Sequence, residues 1–312
     1  MSLKIVFMGT PEFSIPSLEY LINSKHKVVC VYTQPSKKKS RGQKIHKTPV
    51  HIFSEKNGIN VRTSKLTDEN ELIKFKDLKP DLVIVVAYGQ IIPNSFLQIS
   101  NLSFLNVHAS LLPKWRGAAP IHRAIINGDE KTGISIMRME KGLDEGPTYL
   151  QTAIPIGEND TYGDIYNTLV EAGKKTLNDY FFPSSHSVHY PSRQNPEGAT
   201  YANKIKKSEI KINFNDTAYK AHKKICAFSP KPGAWFEVES IKYKIFDTKV
   251  LLKNDTKKFL DSEKLILPFK ENFLLKNKIQ KEGKNLMKIE DFRRGYSKDF
   301  EKIKKSFFKP KI

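Results

Sequence analysis

Three polar residues, Asn106, His108 and Asp144, are the side chains best suited to chemistry in this sequence. An asparagine amide can donate a hydrogen bond to a developing oxyanion, and a histidine can donate or accept a proton near neutral pH. A carboxylate can orient an imidazole and favour its charged form. Together the three groups suit the addition of an amine to a carbonyl carbon. Spacing alone leaves the reaction open among carbonyl chemistries, and His108 taken by itself would more often be structural.

Predicted secondary structure brings two of these residues to one face of a strand. The apolar run at residues 103–107 predicts a strand, and side chains two positions apart on a strand point the same way. Asn106 and His108 should therefore project together from its end. Asp144 lies between Gly142 and Gly146, which predicts a loop whose backbone can approach a ligand closely. We expect the three side chains to converge on one small reacting group.

The first half of the chain predicts an α/β fold. An apolar strand at residues 3–8, a helix capped by Thr10 and a strand at 28–33 form a βαβ unit. The nearly continuous apolar run at 81–87 is typical of a central parallel strand that is covered on both faces. The turn after the first strand contains only Gly9 in place of a G-x-G-x-x-G motif, so NAD binding is not predicted. The sequence also contains no phosphate-loop, nucleophile-elbow or HExxH motif.

A change in composition divides the chain. The stretch at residues 183–198 is dominated by Pro, Ser, His and Asn and has no hydrophobic period, which indicates a linker. Beyond it, short apolar runs at strand spacing predict a small β-barrel or sandwich. We therefore expect a catalytic domain at residues 1–183, a linker at 184–203 and a second domain at 204–312.

The net charge of the 312-residue chain is +20, and most of it lies in the last third. Residues 204–312 contain 29 Lys and Arg against 14 Asp and Glu, whereas residues 1–203 contain 24 against 19. Such a basic segment favours a polyanionic partner, either a nucleic acid or a membrane surface. A general bias of the chain toward Lys, Ile, Asn and Phe would also produce this charge without such a partner.

A second basic segment, residues 34–48, follows the second predicted strand. It includes Lys38, Lys39, Arg41 and Lys44, and it is longer than the roughly 2–6 residues usual for such a connection. A loop of this charge at the carboxyl end of a sheet strand is a candidate to reach a nucleic acid. A solvated insertion is the alternative interpretation.

Two cysteines, Cys30 and Cys226, lie far apart and form no CxxC motif, which fits a reducing compartment and predicts no metal site. The first residues lead directly into an apolar strand without a signal-peptide pattern. No apolar run is long enough to span a bilayer. We expect a cytoplasmic, monomeric protein with no membrane partner.

Several motifs are similar to those of a known enzyme family. Residues 106–113 and 142–146 resemble the formyltransferases that use 10-formyltetrahydrofolate. Residues 114–121 narrow the resemblance to the members that formylate methionyl-tRNA. Further similar segments run along nearly the whole chain, at residues 9–13, 33–35, 86–89, 201–205 and 227–235.

The resemblance implies a fold and an activity. The N-terminal domain would be Rossmann-like with a predominantly parallel sheet, and the C-terminal domain would be an OB-like β-barrel that binds tRNA. The enzyme would transfer formyl from 10-formyltetrahydrofolate to the free amino group of methionyl initiator tRNA, giving formylmethionyl-tRNA for translation initiation. Asn106 and His108 would stabilise the oxyanion, while Asp144 would orient and charge His108 and assist proton movement.

Binding residues follow from the same resemblance, which implies no metal. The acceptor end of the tRNA would meet Arg41 in the basic loop, with Lys38, Lys39 and Lys44 beside it. Two segments would line the folate site and a third would shape it, with these candidates: Val86, Ala87, Tyr88, Gly89, Gln90, Ile91, Ile92, Ser110, Leu111, Leu112, Pro113, Met139, Gly142 and Leu143.

The sequence departs from the family pattern at two positions, and two rival functions are compatible with parts of it. Phe214 and Lys231 stand where the family often has Trp. One rival is a sister enzyme that formylates an amino-sugar nucleotide with the same folate, and the other is a non-catalytic RNA-binding protein with a relic α/β domain. The basic loop and the C-terminal charge argue against the first. The presence of Asn106, His108 and Asp144 argues against the second.

Overall fold

The computed structural model describes residues 2–39, 44–183, 189–253 and 264–307. Within these residues the chain divides into two compact units. The first unit comprises residues 1–120, 131–155 and 166–203, and the second comprises 121–130, 156–165 and 204–312.

One mainly parallel sheet forms the centre of the first unit. Its strands join in the order β10-β9-β7-β6-β1-β2-β5, and all pairs from β7 to β5 are parallel, while β9 and β10 are antiparallel. The predicted α/β class with a predominantly parallel sheet is therefore confirmed. The strands of this unit are β1 (Lys4–Gly9), β2 (Lys27–Tyr32), β3 (Lys37–Lys39), β4 (Lys44–His46), β5 (Val61–Arg62), β6 (Leu82–Val86), β7 (Ser103–His108), β8 (Arg116–Gly117), β9 (Lys131–Arg138), β10 (Thr148–Pro155) and β11 (Tyr201–Ala202).

Side-chain caps mark where several helices begin. The hydroxyl of Thr48 accepts from the His51 backbone N–H, and the Asp68 carboxylate accepts from the N–H of Asn70. No helix in the described part of the chain is long and apolar enough to cross a membrane. The helices are α1 (Ile15–Ile22), α2 (Pro49–Lys56), α3 (Glu69–Asp77), α4 (Asn94–Leu97), α5 (Pro120–Asn127), α6 (Tyr162–Phe181), α7 (Ala218–Ala227), α8 (Ile289–Gly295) and α9 (Ser297–Phe307).

Two local predictions for the N-terminal half are wrong. Thr10 does not cap a helix, because its hydroxyl donates to the Tyr88 carbonyl at 2.7 Å and a 3-10 turn at Glu12–Ser14 precedes α1. The strand end leaves that carbonyl in need of a donor, and Thr10 supplies it. The segment at residues 34–48 is not simply a loop, since β3 and β4 pair with each other as short antiparallel strands.

An antiparallel sheet forms the centre of the second unit. Its strands are ordered β12-β13-β15-β14, with β16 paired to β15, and every pair is antiparallel. The predicted small barrel-like domain is confirmed at this level, whereas the helices α8 and α9 that follow the sheet were not predicted. The strands are β12 (Trp235–Val238), β13 (Ile241–Leu251), β14 (Leu265–Pro268), β15 (Phe273–Lys281) and β16 (Met287–Lys288).

Aromatic packing around Phe214 fills part of the core of the second unit. Phe214 lies with its ring centroid 5.9 Å from Phe236, 5.1 Å from Phe269 and 4.4 Å from Phe307. Aromatic pairs at such distances add to the burial of apolar area. Phe214 therefore takes part in core packing.

A buried lysine interrupts this core. Lys276 lies in β15 with 0% exposure, and its Nζ has no hydrogen-bond partner among the described residues. The ring of Phe236 lies beside the amine, with its centroid 4.2 Å from Nζ. Burial lowers the pKa of the amine well below its ordinary value of 10.5, because the charged form loses its hydration. The amine therefore costs the fold free energy.

We predict that Lys276→Met stabilises the protein by about 1–3 kcal/mol at pH 7, since it removes an unpaired polar group from the core. In the unfolded chain the pKa of this amine is near 10.4, above its pKa in the folded protein. Between these two pKa values the unfolded wild-type chain binds more protons than the folded one. Wild-type stability should rise as the pH rises toward about 10, and the advantage of the variant should shrink. Urea unfolding at pH 7 and pH 9.5 measures both effects.

Lys278→Met on the same strand is the matched control. Lys278 is exposed and only approaches Asp247 at 3.9 Å, so its loss should change stability by less than about 0.5 kcal/mol. A Lys276→Met protein that is less stable than wild type would show that the amine makes a favourable contact.

Candidate active site

Asn106 and His108 lie at the carboxyl end of β7, which runs between β6 and β9 in the large sheet. Residues on both sides of Asn106 along the strand are buried core, whereas Asn106 is half-buried and His108 is 6% exposed. In a parallel sheet the loops that leave the carboxyl ends of neighbouring strands meet at one edge. This edge is therefore where side chains from distant parts of the sequence can meet.

The structure brings Asn106, His108 and Asp144 together. Asn106 Nδ2 donates to Asp144 Oδ1 at 3.3 Å, and His108 Nδ1 lies 3.6 Å from Asp144 Oδ2. The backbone N–H of Gly117 donates to the same Oδ2 at 2.8 Å. The carboxylate is thus held by one backbone and one amide donor while it faces the imidazole.

The imidazole of His108 is fixed from both sides. Its Nε2 lies 3.0 Å from the Trp115 carbonyl oxygen, to which an N–H at this position can donate. Its Nδ1 faces the Asp144 carboxylate at a distance longer than an ordinary hydrogen bond. Both ring nitrogens therefore face oxygen atoms.

The loop that carries Asp144 has an unusual backbone. Asp144 itself has a positive φ of 51°, a region that few residues other than Gly adopt. Two residues later the backbone passes so close to β9 that a Cβ at Gly146 would lie 1.8 Å from the Arg138 carbonyl oxygen. Gly146, at which the sequence predicts close approach to a ligand, therefore allows the loop to pass close to its own sheet.

Gln194 and Arg116 complete the site, and sequence reasoning missed both. The Gln194 amide Nε2 donates to the carbonyl oxygens of Asp144 and Gly146 at 2.8 and 2.7 Å. Its Oε1 accepts from Arg116 Nε and Nη2 at 3.1 and 2.9 Å, and Arg116 Nη1 lies 3.5 Å from Glu145. Gln194 falls within the predicted linker, whose composition gives no sign of such contacts.

The same segment holds the chain on the other side of the site. Thr200 Oγ1 accepts from the Trp115 N–H at 2.9 Å, and β11 pairs with β8 in parallel. The Ala202 carbonyl accepts from the N–H groups of Ala118 and Ala119 at 2.9 and 3.0 Å. Residues 192–202 are therefore hydrogen-bonded to the segments that form the site.

The predicted folate segment after β6 is a fixed turn with an exposed apolar side chain. Ala87 and Gly89 have positive φ angles of 46° and 74°, and Ile91 is 93% exposed. Gln34 Nε2 donates to the carbonyl oxygens of Tyr88 and Gly89 at 3.2 and 3.0 Å. An apolar side chain on a backbone that is held in this way suits the flat face of a ligand.

The Ser110 hydroxyl is engaged in the turn that follows β7. Its Oγ donates to the Lys114 carbonyl at 2.6 Å, and its own carbonyl accepts from Ser135 at 2.6 Å. Gln151 Nε2 donates to the Leu112 carbonyl at 2.8 Å. This arrangement fits a segment that shapes the site, as expected for residues 110–113, rather than one that supplies a nucleophile.

A cavity of about 290 Å³ lies beside the amino end of β7. Of the predicted folate residues, Met139 lies on its wall. The other lining residues come from two segments and include Asn94, Leu97, Gln98, Leu102, Ser103, Phe104, Arg138, Glu140 and Lys141. Gly142 and Leu143 follow directly in the loop, where Gly142 is half-buried and Leu143 is 60% exposed.

The predicted tRNA contacts cannot be placed on this geometry. Arg41 lies outside the described residues, as do the side chains of Lys38, Lys39 and Lys44, whose backbones belong to β3 and β4. In the described part of the chain, no group of three His, Cys, Asp or Glu residues could hold a metal ion.

Comparison with protein families agrees with the fold and the site geometry. The formyl transferase family matches residues 3–180, and the C-terminal domain of formyl transferases matches residues 204–297. The first match alone covers more than half of the chain. The chain belongs to the formyl transferase family.

Relatives with a full-length match narrow the comparison. A methionyl-tRNA formyltransferase from Rhizobium rhizogenes is 40% identical over 301 residues, which are 95% of this chain and 96% of the relative. One from a Wolbachia of Drosophila simulans is 38% identical over 300 residues, with 94% and 96% covered. A solved N-formyltransferase from Helicobacter canadensis, in complex with folinic acid and dTDP-3-aminofucose, has a TM-score of 0.66 at 21% identity and covers 89% of this chain and 99% of its own. This last likeness shows the shared fold.

We predict that Gly146→Ala destabilises the protein by at least about 1–3 kcal/mol, because the added Cβ has no space beside the Arg138 carbonyl. Gly295→Ala is the matched control, since a Cβ there meets nothing within 4 Å. Urea unfolding of both variants measures the difference. Equal stability of the two variants would show that the loop does not approach β9 so closely.

Proposed function

We propose that this protein transfers the formyl group of 10-formyltetrahydrofolate to the amino group of methionyl initiator tRNA. The observation that carries the proposal is the convergence of Asn106, His108 and Asp144 in a chain that matches methionyl-tRNA formyltransferases along nearly its whole length. The net charge of +15 at residues 204–312 supports a large polyanionic acceptor.

The three side chains act on a tetrahedral intermediate. The uncharged α-amine of the methionyl group bonds to the formyl carbon, and the carbonyl oxygen becomes an oxyanion. Asn106 has a second amide N–H beyond the one that meets Asp144, and it donates this hydrogen to the oxyanion. The Nε2–H of His108, which faces the Trp115 carbonyl at 3.0 Å, shares its hydrogen between that carbonyl and the oxyanion. Asp144 keeps the imidazole oriented, with Oδ2 facing Nδ1 at 3.6 Å.

Collapse of the intermediate completes the transfer. The bond between the formyl carbon and the folate nitrogen breaks, and a proton from the attacking amine ends on that nitrogen. Asp144 and His108 are the groups beside the reacting atoms that can carry this proton, directly or through water. Folate lies against residues 86–92 and 139–143, where Ile91 offers an exposed apolar face. We propose that the enzyme acts in the cytoplasm, where translation is initiated, and as a monomer.

The acceptor distinguishes this function from its nearest rival. Purified protein is incubated with 10-formyltetrahydrofolate and either methionyl initiator tRNA or an amino-sugar nucleotide, and the formylated product is measured. Product from the tRNA alone is expected, and product from the sugar alone would overturn the acceptor.

We predict that His108→Ala lowers turnover by about 10²–10⁴-fold. His51→Ala, which removes a histidine that contacts Glu55 on α2, should retain turnover.

We predict that Arg41→Ala raises the KM for tRNA about tenfold, a loss of roughly 1.4 kcal/mol, while the KM for folate stays the same. Arg41→Lys keeps the charge and should be affected less. Lys56→Ala removes an exposed positive charge from the end of α2 and serves as the control. Steady-state kinetics at two salt concentrations measure these values, and an unchanged KM for tRNA would remove the basic loop from the acceptor site.

A further inference from the structure

Gln194 connects the Asp144 loop to Arg116 through four hydrogen bonds. Its amide group has two N–H donors, and each is directed to one carbonyl, that of Asp144 at 2.8 Å and that of Gly146 at 2.7 Å. Its oxygen accepts two hydrogen bonds from Arg116, whose side chain is nearly fully buried. Every polar atom of the Gln194 amide is thus matched by a partner of the opposite kind.

The chemistry of the partners fixes the orientation of this amide. In the reversed orientation the oxygen would face two carbonyl oxygens, and the NH2 group would face the Arg116 guanidinium, which has only donors. The guanidinium in turn approaches Glu145 at 3.5 Å. Gln194 therefore holds the backbone of residues 144–146, and Arg116 contacts the side chain of Glu145 in the middle of this segment.

The enclosed segment needs such support. Asp144 has a φ of 51°, and a non-glycine residue in this region costs free energy that surrounding contacts must offset. Its carboxylate must also stay within reach of Asn106 and His108, at 3.3 and 3.6 Å. Gln194 donates two hydrogen bonds to the backbone carbonyls of this loop.

We infer that Gln194 is a positioning residue for the formyl transfer proposed above, acting through the backbone of Asp144. It does not touch the reacting atoms. It holds the loop in the conformation that keeps the Asp144 carboxylate on His108, and a displacement of about 1 Å in such a contact can cost about 100-fold in rate. This inference rests on the proposed function for its kinetic readout, whereas the loop conformation can be measured without it.

Gln194→Glu tests the two donors separately from the acceptor. The carboxylate keeps a partner for Arg116 but faces two carbonyl oxygens without a hydrogen to donate. We expect kcat to fall about 10–100-fold, while the KM values for folate and tRNA change by less than about threefold. Gln194→Met has similar length and no charge, and it should show the same fall if Gln194→Glu does not fold.

Asn195→Ala is the matched control from the neighbouring position. The Asn195 side chain accepts from the Glu197 N–H and supports the local turn at Pro196–Gly198 without a described contact to the Asp144 loop. This variant should loosen the same segment and keep kcat. A kcat within threefold of wild type for both Gln194 variants would overturn the inference, as would an equal loss for Asn195→Ala.

Backbone amide hydrogen exchange at residues 143–146 provides a second readout that needs no substrate. Exchange there should be at least about tenfold faster in Gln194→Met than in wild type and in Asn195→Ala. If wild-type protein forms no formylated product while exchange responds in this way, the proposed function fails and the positioning of the loop stands. If product forms and exchange is unchanged, the inference fails alone.

Discussion

The Asp144 carboxylate is the interaction on which the rest of the site depends. A carboxylate beside a half-buried amide and a buried imidazole is stable only if its oxygens have donors. The Gly117 N–H and Asn106 Nδ2 supply them at 2.8 and 3.3 Å, and Oδ2 also faces His108 Nδ1 at 3.6 Å. The position of this one group therefore requires β7, the turn after it and the Asp144 loop to keep their mutual distances.

Keeping those distances places demands on the backbone. The loop reverses through a positive φ at Asp144 and then returns so close to β9 that only glycine fits at position 146. The carbonyl groups of Asp144 and Gly146 need hydrogen-bond donors. Gln194 supplies these donors, and Thr200 and Ala202 supply acceptors for the facing segment at 115–119. A stretch with the composition of a linker thus serves as structural support.

Residue patterns predicted the elements that carry the site more readily than the contacts between them. The shared direction of Asn106 and His108 follows from strand geometry, and the apolar run at residues 81–87 predicts the buried parallel strand β6. Gln194 could not be predicted, because a side chain that bonds to a distant backbone leaves no local period. Thr10 was assigned to a helix cap for the same reason, since its true partner is the Tyr88 carbonyl far along the chain. The helices after β16 are not predicted because their apolar positions are few among many charged residues.

The sheet explains why distant segments can share one reaction. β1, β6 and β7 are adjacent and parallel, so their carboxyl ends open at the same edge. Thr10 follows β1, the turn with Gly89 follows β6, and His108 ends β7. The Thr10 hydroxyl fixes the turn after β6, so the apolar face offered by Ile91 and the polar groups around Asp144 are held by one rigid framework. Transfer of a one-carbon group between two bound substrates depends on such fixed geometry, because the amine and the carbonyl carbon must meet at about 3 Å before reaction.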